Sequence, residues 1–182
     1  MPVDLTKLVP ALQDKVNQLL QQCTAAGFIM RPNEGLRDPF VQAKYWRQSR
    51  TTEQIAAEIA DLKAKGAPFL AYCLESVGSQ NGDPVTNALP GLSWHQWGEA
   101  LDCFWVVDGQ AVWSTTKKVN GQNGFQVYAY MAKGLGLTAG GFFTSIKDWP
   151  HVQLSSASSP LGMYSLQQID SEMKSRFQEA ST

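Results

Sequence analysis

The chain of 182 residues is long enough for one ordinary compact domain and too short for two. With 43% hydrophobic and only 17% charged residues it can bury a core, which excludes a disordered chain. Fifteen Lys and Arg against sixteen Asp and Glu leave a formal charge of −1, so no field draws the protein toward phosphate backbones or anionic lipid, and nucleic acid is not an expected partner.

The opening stretch MPVDLTKLVPALQDK has no basic segment followed by an apolar one, and nowhere do about 18 apolar residues run together. Neither a signal peptide nor a membrane span is expected. Leu8, Leu12, Val16, Leu19, Leu20 and Cys23 recur at helical spacing, and Gly27 is suited to end that helix. Phe28 to Arg31 then reads as a short strand stopped by Pro32, with Asn33-Glu34-Gly35 as a turn. Asp38 is suited to cap a second helix with Pro39 at its first position. A third helix over Thr52 to Lys65 carries Ile55, Ile59 and Leu62 on one face, with Thr51 or Thr52 as cap and Gly66 at its close. Leu74 to Ser93 turns to Ser, Asn, Gly, Asp and Pro, a long surface loop of the kind that often carries function. Ala100 to Val107 is strand-like, and Asp108-Gly109 predicts a two-residue hairpin. Asn123 to Leu135 reads as a helix, a last strand starts near His151, and a terminal helix spans Leu161 to Ala180. The expected architecture is α+β: a single domain of residues 1–182, core about 8–154, with N-terminal helices packed on a small, mainly antiparallel sheet.

Cys23, Cys73 and Cys103 are odd in number and form no CxxC, which argues for three buried apolar residues in a reducing cytoplasm rather than a disulfide framework. Only two histidines exist, and both sit in unusual settings. His95 lies in Ser93-Trp94-His95-Gln96-Trp97-Gly98, where Gly98 permits the chain to turn back into the next strand. On that strand Asp102 shares a face with Ala100, Phe104 and Val106, where an uncompensated carboxylate would be expensive to bury. A cation is the simplest compensation, and His with carboxylate suits zinc. His151 follows Pro150 on a second strand. Two His and one Asp leave a fourth position open, which reads as a catalytic rather than a structural zinc. Asp148, three residues before His151, is the candidate general base. Any one of these residues alone is more often a hydrogen-bonded core or surface group than a ligand; it is their conjunction with a recognisable pattern that shifts the balance.

That conjunction resembles the M15 family of zinc D-Ala-D-Ala carboxypeptidases and L-alanyl-D-glutamate endopeptidases, nearest its endolysin-like branch. The resemblance rests on Ser93-x-His95-x-x-Gly98-x-Ala100-x-Asp102, on Asp148-x-Pro150-His151, and on Glu34-Gly35-Leu36-Arg37 followed by Gln42. Thr86-Asn87-Ala88 before Pro90-Gly91, and Gly140-Gly141, fall at further motif positions. It implies a hedgehog/DD-peptidase-like fold and one zinc ion bound by His95, Asp102 and His151. Asp148 would serve as base and then acid, while Arg37 would hold the substrate and stabilise the oxyanion. Gln42 and Ser93 match motif positions and stand as candidate substrate-binding residues. Trp94, Trp97 and Trp149 flank the ligands, and either lining a groove or filling the core suits them, with Trp94 and Trp149 standing as candidate substrate-binding residues. The chain departs from the pattern at Asp38, where serine is common, and at Phe142-Phe143, where a tryptophan is expected.

The activity implied is a zinc metallopeptidase that hydrolyses peptidoglycan, cutting the L-Ala–D-Glu bond of the stem peptide as a phage endolysin does. It would be made in the cytoplasm as a monomer and either reach the cell wall by holin-type release or serve as a cytoplasmic recycling enzyme. A D-Ala-D-Ala carboxypeptidase is the alternative with the same metal site; a zinc-stabilised binding module without turnover is the alternative from another class.

Overall fold

The computed structural model describes residues 3–178. In chain order these form α1 (Pro10–Ala25), β1 (Ile29–Glu34), α2 (Pro39–Arg47), α3 (Thr52–Ala64), α4 (Pro68–Ser76), β2 (Ala100–Val107), β3 (Gln110–Val112), α5 (Gly124–Gly134), β4 (Thr138–Ala139), β5 (His151–Gln153) and α6 (Leu166–Phe177), with short 3-10 turns between. The class is α+β, as expected. Capping chemistry sets several boundaries. Asp38 accepts from the Phe40 amide ahead of Pro39 in α2. Thr51 and Gln54 close a reciprocal capping box on α3, and Ser165 with Gln168 does the same on α6.

The chain divides into two compact units, each built from two segments: Met1–Leu36 with Trp97–Ser156, and Arg37–Gln96 with Ala157–Thr182. The first holds an antiparallel sheet in the order β1-β2-β5-β4, with β3 also paired to β2. Helices α1 and α5 pack on each other and on this sheet. Leu12, Val16 and Leu19 from α1, Phe125 and Tyr128 from α5, and Leu101, Trp105 and Val152 from the strands make its core. Each such large apolar side chain contributes roughly 1.5–3 kcal/mol by leaving water. The second unit is helical: α4 packs against α2, α3 and α6, burying Trp46, Leu62, Phe69, Leu70, Leu74, Ile169 and Met173. Of the N-terminal helices, then, α1 packs on the sheet while α2 to α4 build the helical unit.

Several elements differ from the sequence expectation for identifiable reasons. Strand β1 does not stop at Pro32 but runs to Glu34; among the described residues it pairs only with β2, so it is an edge strand where proline's missing N–H is tolerated. A register shift between Pro32 and Glu34 sets Glu34 opposite Asp102 in place of a turn. Helix α4, with the sequence PFLAYCLES, has no counterpart among the expected elements, because it is buried at Phe69, Leu70, Ala71, Cys73 and Leu74 and its exposed face carries charge or a small polar group only at its end, at Glu75 and Ser76, which leaves little contrast to mark a period. The terminal helix starts five residues later than expected, after a 3-10 turn at Pro160–Gly162, and the expected end at Ala180 lies outside the described residues. The hairpin matches: Asp108 and Gly109 take φ of 50° and 76°, the paired positive values of a two-residue turn. All three cysteines are free and buried. Among the described residues no helix is long and apolar enough to cross a membrane.

Candidate metal centre

Strand β2 sends Leu101, Cys103 and Trp105 into the core and carries Asp102 and Phe104 on its other face. Antiparallel pairing sets His151 of β5 directly opposite Asp102. The His151 Nδ1 lies 3.0 Å from Asp102 Oδ1, with the two side chains only 11% and 17% exposed. Burial by itself would lower the histidine's pKa, but the hydrogen bond to Asp102 and that carboxylate's charge, aided by Gln153 and Asp148, override it and leave the imidazole raised.

His95 occupies the 3-10 turn Trp94–Trp97, inside which the chain passes from the second unit to the first. Gly98, at φ +70°, then turns the chain back, and a Cβ there would stand 3.0 Å from the Lys7 carbonyl oxygen. The Ser93 hydroxyl accepts from the His95 amide, and the His95 carbonyl accepts from the Arg37 amide at 3.1 Å. His95, Asp102 and His151 each offer one ligand atom, and these atoms all lie within 4.8 Å of one another. Two imidazoles and a carboxylate are the donor types that zinc takes, and this spacing lets one ion engage all three. The residues therefore fit a divalent metal.

Asp148 is exposed in the loop entering β5. Its backbone is held on both sides: its amide donates to the Gly140 carbonyl at 3.0 Å, and its carbonyl accepts from the His151 amide at 3.1 Å. Trp149 is half-buried with its ring against Gly141, where a Cβ would meet the ring at 2.5 Å. Arg37 is half-buried; its guanidinium donates to Gln42 Oε1 at 2.7 Å and lies 5.2 Å from the centre of the Tyr45 ring. Gln42 is itself fully buried. Its amide nitrogen donates to the Ala88 carbonyl at 2.7 Å, and its oxygen also accepts from Gln96. Trp94 is 2% exposed and donates its indole N–H to the Ala157 carbonyl. The burial of Gln42 and Trp94 suits them to supporting the site rather than touching a substrate. Ser93 is half-buried and holds the turn that carries His95.

One residue absent from the sequence reading belongs to this centre. Gln153, 2% exposed, places Oε1 2.9 Å from His151 Nε2. Strand alternation was the available signal, since residues 151 and 153 share a face.

Compared with known proteins, residues 5–138 match the sequence model of the VanY family, described as D-alanyl-D-alanine carboxypeptidase. No curated protein matches significantly. Among solved structures the chain is similar to the crystal structure of Serratia marcescens L-Ala D-Glu endopeptidase ChiX, at 16% sequence identity over 83% of each chain and a TM-score of 0.46.

Proposed function

The chain belongs to the VanY family of D-alanyl-D-alanine carboxypeptidases, and from that membership we propose that it is a zinc-dependent peptidoglycan peptidase hydrolysing the L-Ala–D-Glu bond of the stem peptide. The metal would be held by His95, Asp102 and His151. The observation that carries this is the 4.8 Å grouping of their ligand atoms in a chain that has no other histidine. The choice of bond follows the endopeptidase-like motif set around Asp102 and Asp148-x-Pro150-His151. Removal of terminal D-Ala is the second reading, favoured by the activity for which the family is named.

When bound, zinc supplies Lewis acidity, acidifying water and polarising a carbonyl. The chain's own residues do the rest. Asp148 carries a solvent-accessible carboxylate on a backbone pinned by Gly140 and His151, so it can take the proton of the attacking water and return it to the leaving amine. Arg37, braced by Gln42 and Tyr45, presents a permanent cation to the developing oxyanion or to a substrate carboxylate.

The test is metal analysis together with mass spectrometry of digested muropeptides, on the wild type beside Asp148→Ala. One equivalent of zinc in both proteins is expected, with cleavage between L-Ala and D-Glu in the wild type alone. Asp148→Ala should lower turnover by about 10²–10⁴-fold. Release of D-Ala with L-Ala–D-Glu intact would replace the proposed bond by the second reading. Zinc-loaded wild type that binds cell wall and leaves it intact would sink the peptidase.

A further inference from the structure

The orientation of Gln153 decides which nitrogen of His151 faces the carboxylate as a lone pair. Its side chain is 2% exposed and touches two groups of known polarity. On one side the Gln153 amide nitrogen donates to the Ser155 carbonyl at 2.7 Å. On the other, Oε1 lies 2.9 Å from His151 Nε2. A backbone carbonyl only accepts, so the NH₂ end must face Ser155 and the oxygen must face the imidazole. That oxygen also only accepts, and His151 Nε2 must therefore carry a hydrogen. In the neutral ring the lone pair then sits on Nδ1, the nitrogen 3.0 Å from Asp102 Oδ1. Two acceptors face each other across that gap, an arrangement that becomes attractive with a cation or a proton between them. The chain Ser155 carbonyl, Gln153 amide, His151 ring thus aims a ligand lone pair at the Asp102 side of the centre.

Resting on the metal-centre reading above, we infer that Gln153 is a positioning residue that locks His151 as the Nε2–H tautomer, so that Nδ1 is its metal-ligating atom. Residues that brace a metal ligand in this way are typically worth 10- to 100-fold in metal affinity. Gln153 achieves this from within the sheet: it is registered opposite Ala100 of β2 and Thr138 of β4, so its backbone is fixed from both sides.

Two measurements test this. The first uses the unaltered, zinc-loaded protein with ¹⁵N-labelled histidine. Long-range ¹H–¹⁵N spectra should show His151 protonated at Nε2 with the metal-shifted resonance at Nδ1; a metal-shifted Nε2 would overturn the inference. The second is zinc affinity by competition with a chromophoric chelator. Gln153→Leu, which removes the acceptor, should weaken zinc binding by about 10- to 100-fold. Gln153→Glu, which keeps an acceptor toward Nε2, should bind zinc more tightly than Gln153→Leu. Wild-type affinity in Gln153→Leu would overturn the role of Gln153 while leaving the metal centre standing. A wild type that takes up no zinc would overturn both.

Discussion

Arg37 shows how a surface cation is made directional by buried neighbours. Gln42 receives hydrogen bonds from Arg37 and Gln96 on one oxygen and spends its amide on Ala88, so one fully buried side chain joins helix α2, the 86–91 loop and the turn of His95. Gln42→Ala would strand several of those groups, and a stability loss of about 1–3 kcal/mol is expected in denaturant unfolding, with zinc content unchanged. A second buried polar group, Asp170 of α6, accepts from the Leu70 amide at the start of α4 at 2.9 Å. Burial raises its carboxyl above the ordinary value of 3.8, against the pull of the Leu70 and Phe69 amides. A carboxyl raised on folding contributes fully below its unfolded pKa and loses that contribution as pH rises through the folded one, so at neutral pH the fold works against its charge. Asp170→Asn keeps the acceptor without the charge. It should unfold no earlier than wild type at neutral pH, with any advantage vanishing as pH falls below the ordinary carboxylate value. Asp170→Ala should lose about 1–3 kcal/mol through the stranded Leu70 amide. Thermal unfolding across pH checks both; an Asn variant weaker than wild type at neutral pH would refute the assignment.

At the scale of elements, the entry into β5 is built by close backbone approach. A Cβ on Gly140 would stand 2.2 Å from the Asp148 carbonyl oxygen and 3.0 Å from the Asp148 Cβ, so the segment that delivers both the candidate base and His151 is seated on a bare glycine. Gly140→Ala should therefore cost about 1–3 kcal/mol and reduce zinc affinity as well. Gly134, at the end of α5, meets nothing within 4 Å, and Gly134→Ala should be neutral or stabilising by about 0.5–1 kcal/mol. Equal effects of the two substitutions in calorimetry and chelator competition would contradict this account. Gly140-Gly141 was visible in the sequence as a motif pair, but its purpose was not, because the atoms it accommodates belong to residues 148 and 149. The edge strand teaches a similar lesson. Pro32 reads locally as a stop, but β1 lies at the end of the strand order, where a proline is tolerated, and so continues to Glu34.

For the molecule as a whole, neither unit is a continuous stretch of chain, so neither can complete its core until residues far apart in sequence have met. We expect one cooperative unfolding transition, in keeping with a single folding domain. The thiols report on it. Burial pushes Cys23 to about 11 and Cys103 to about 12, and raises Cys73 further, so none should react with alkylating reagents in the native state at neutral pH. Cys23 and Cys103 lie in the first unit and Cys73 in the second. In a denaturant series with mass-spectrometric readout all three should become labelled together; Cys73 reacting at a lower denaturant concentration than Cys103 would show the units unfolding separately.

Local chemistry was enough to assign the elements whose signals span a turn or two: the apolar stripe of α1, the caps of α2 and α3, the Asp108-Gly109 hairpin, and the alternation that puts Asp102 on the opposite face from Cys103. For His95, Asp102 and His151 local chemistry only raised the question, through two histidines and one carboxylate on an apolar face; the resemblance of their motifs to a known family made them the candidate ligands. Fold alone decided that Trp94 and Gln42 are buried, that the apolar stretch after Gly66 forms helix α4, and that the chain sorts into two units interleaved in sequence. Those outcomes depend on contacts between distant residues, as with Asp102 and His151, 49 positions apart yet 3.0 Å from each other. Periodicity encodes which side of an element turns inward; it does not encode what that side will touch.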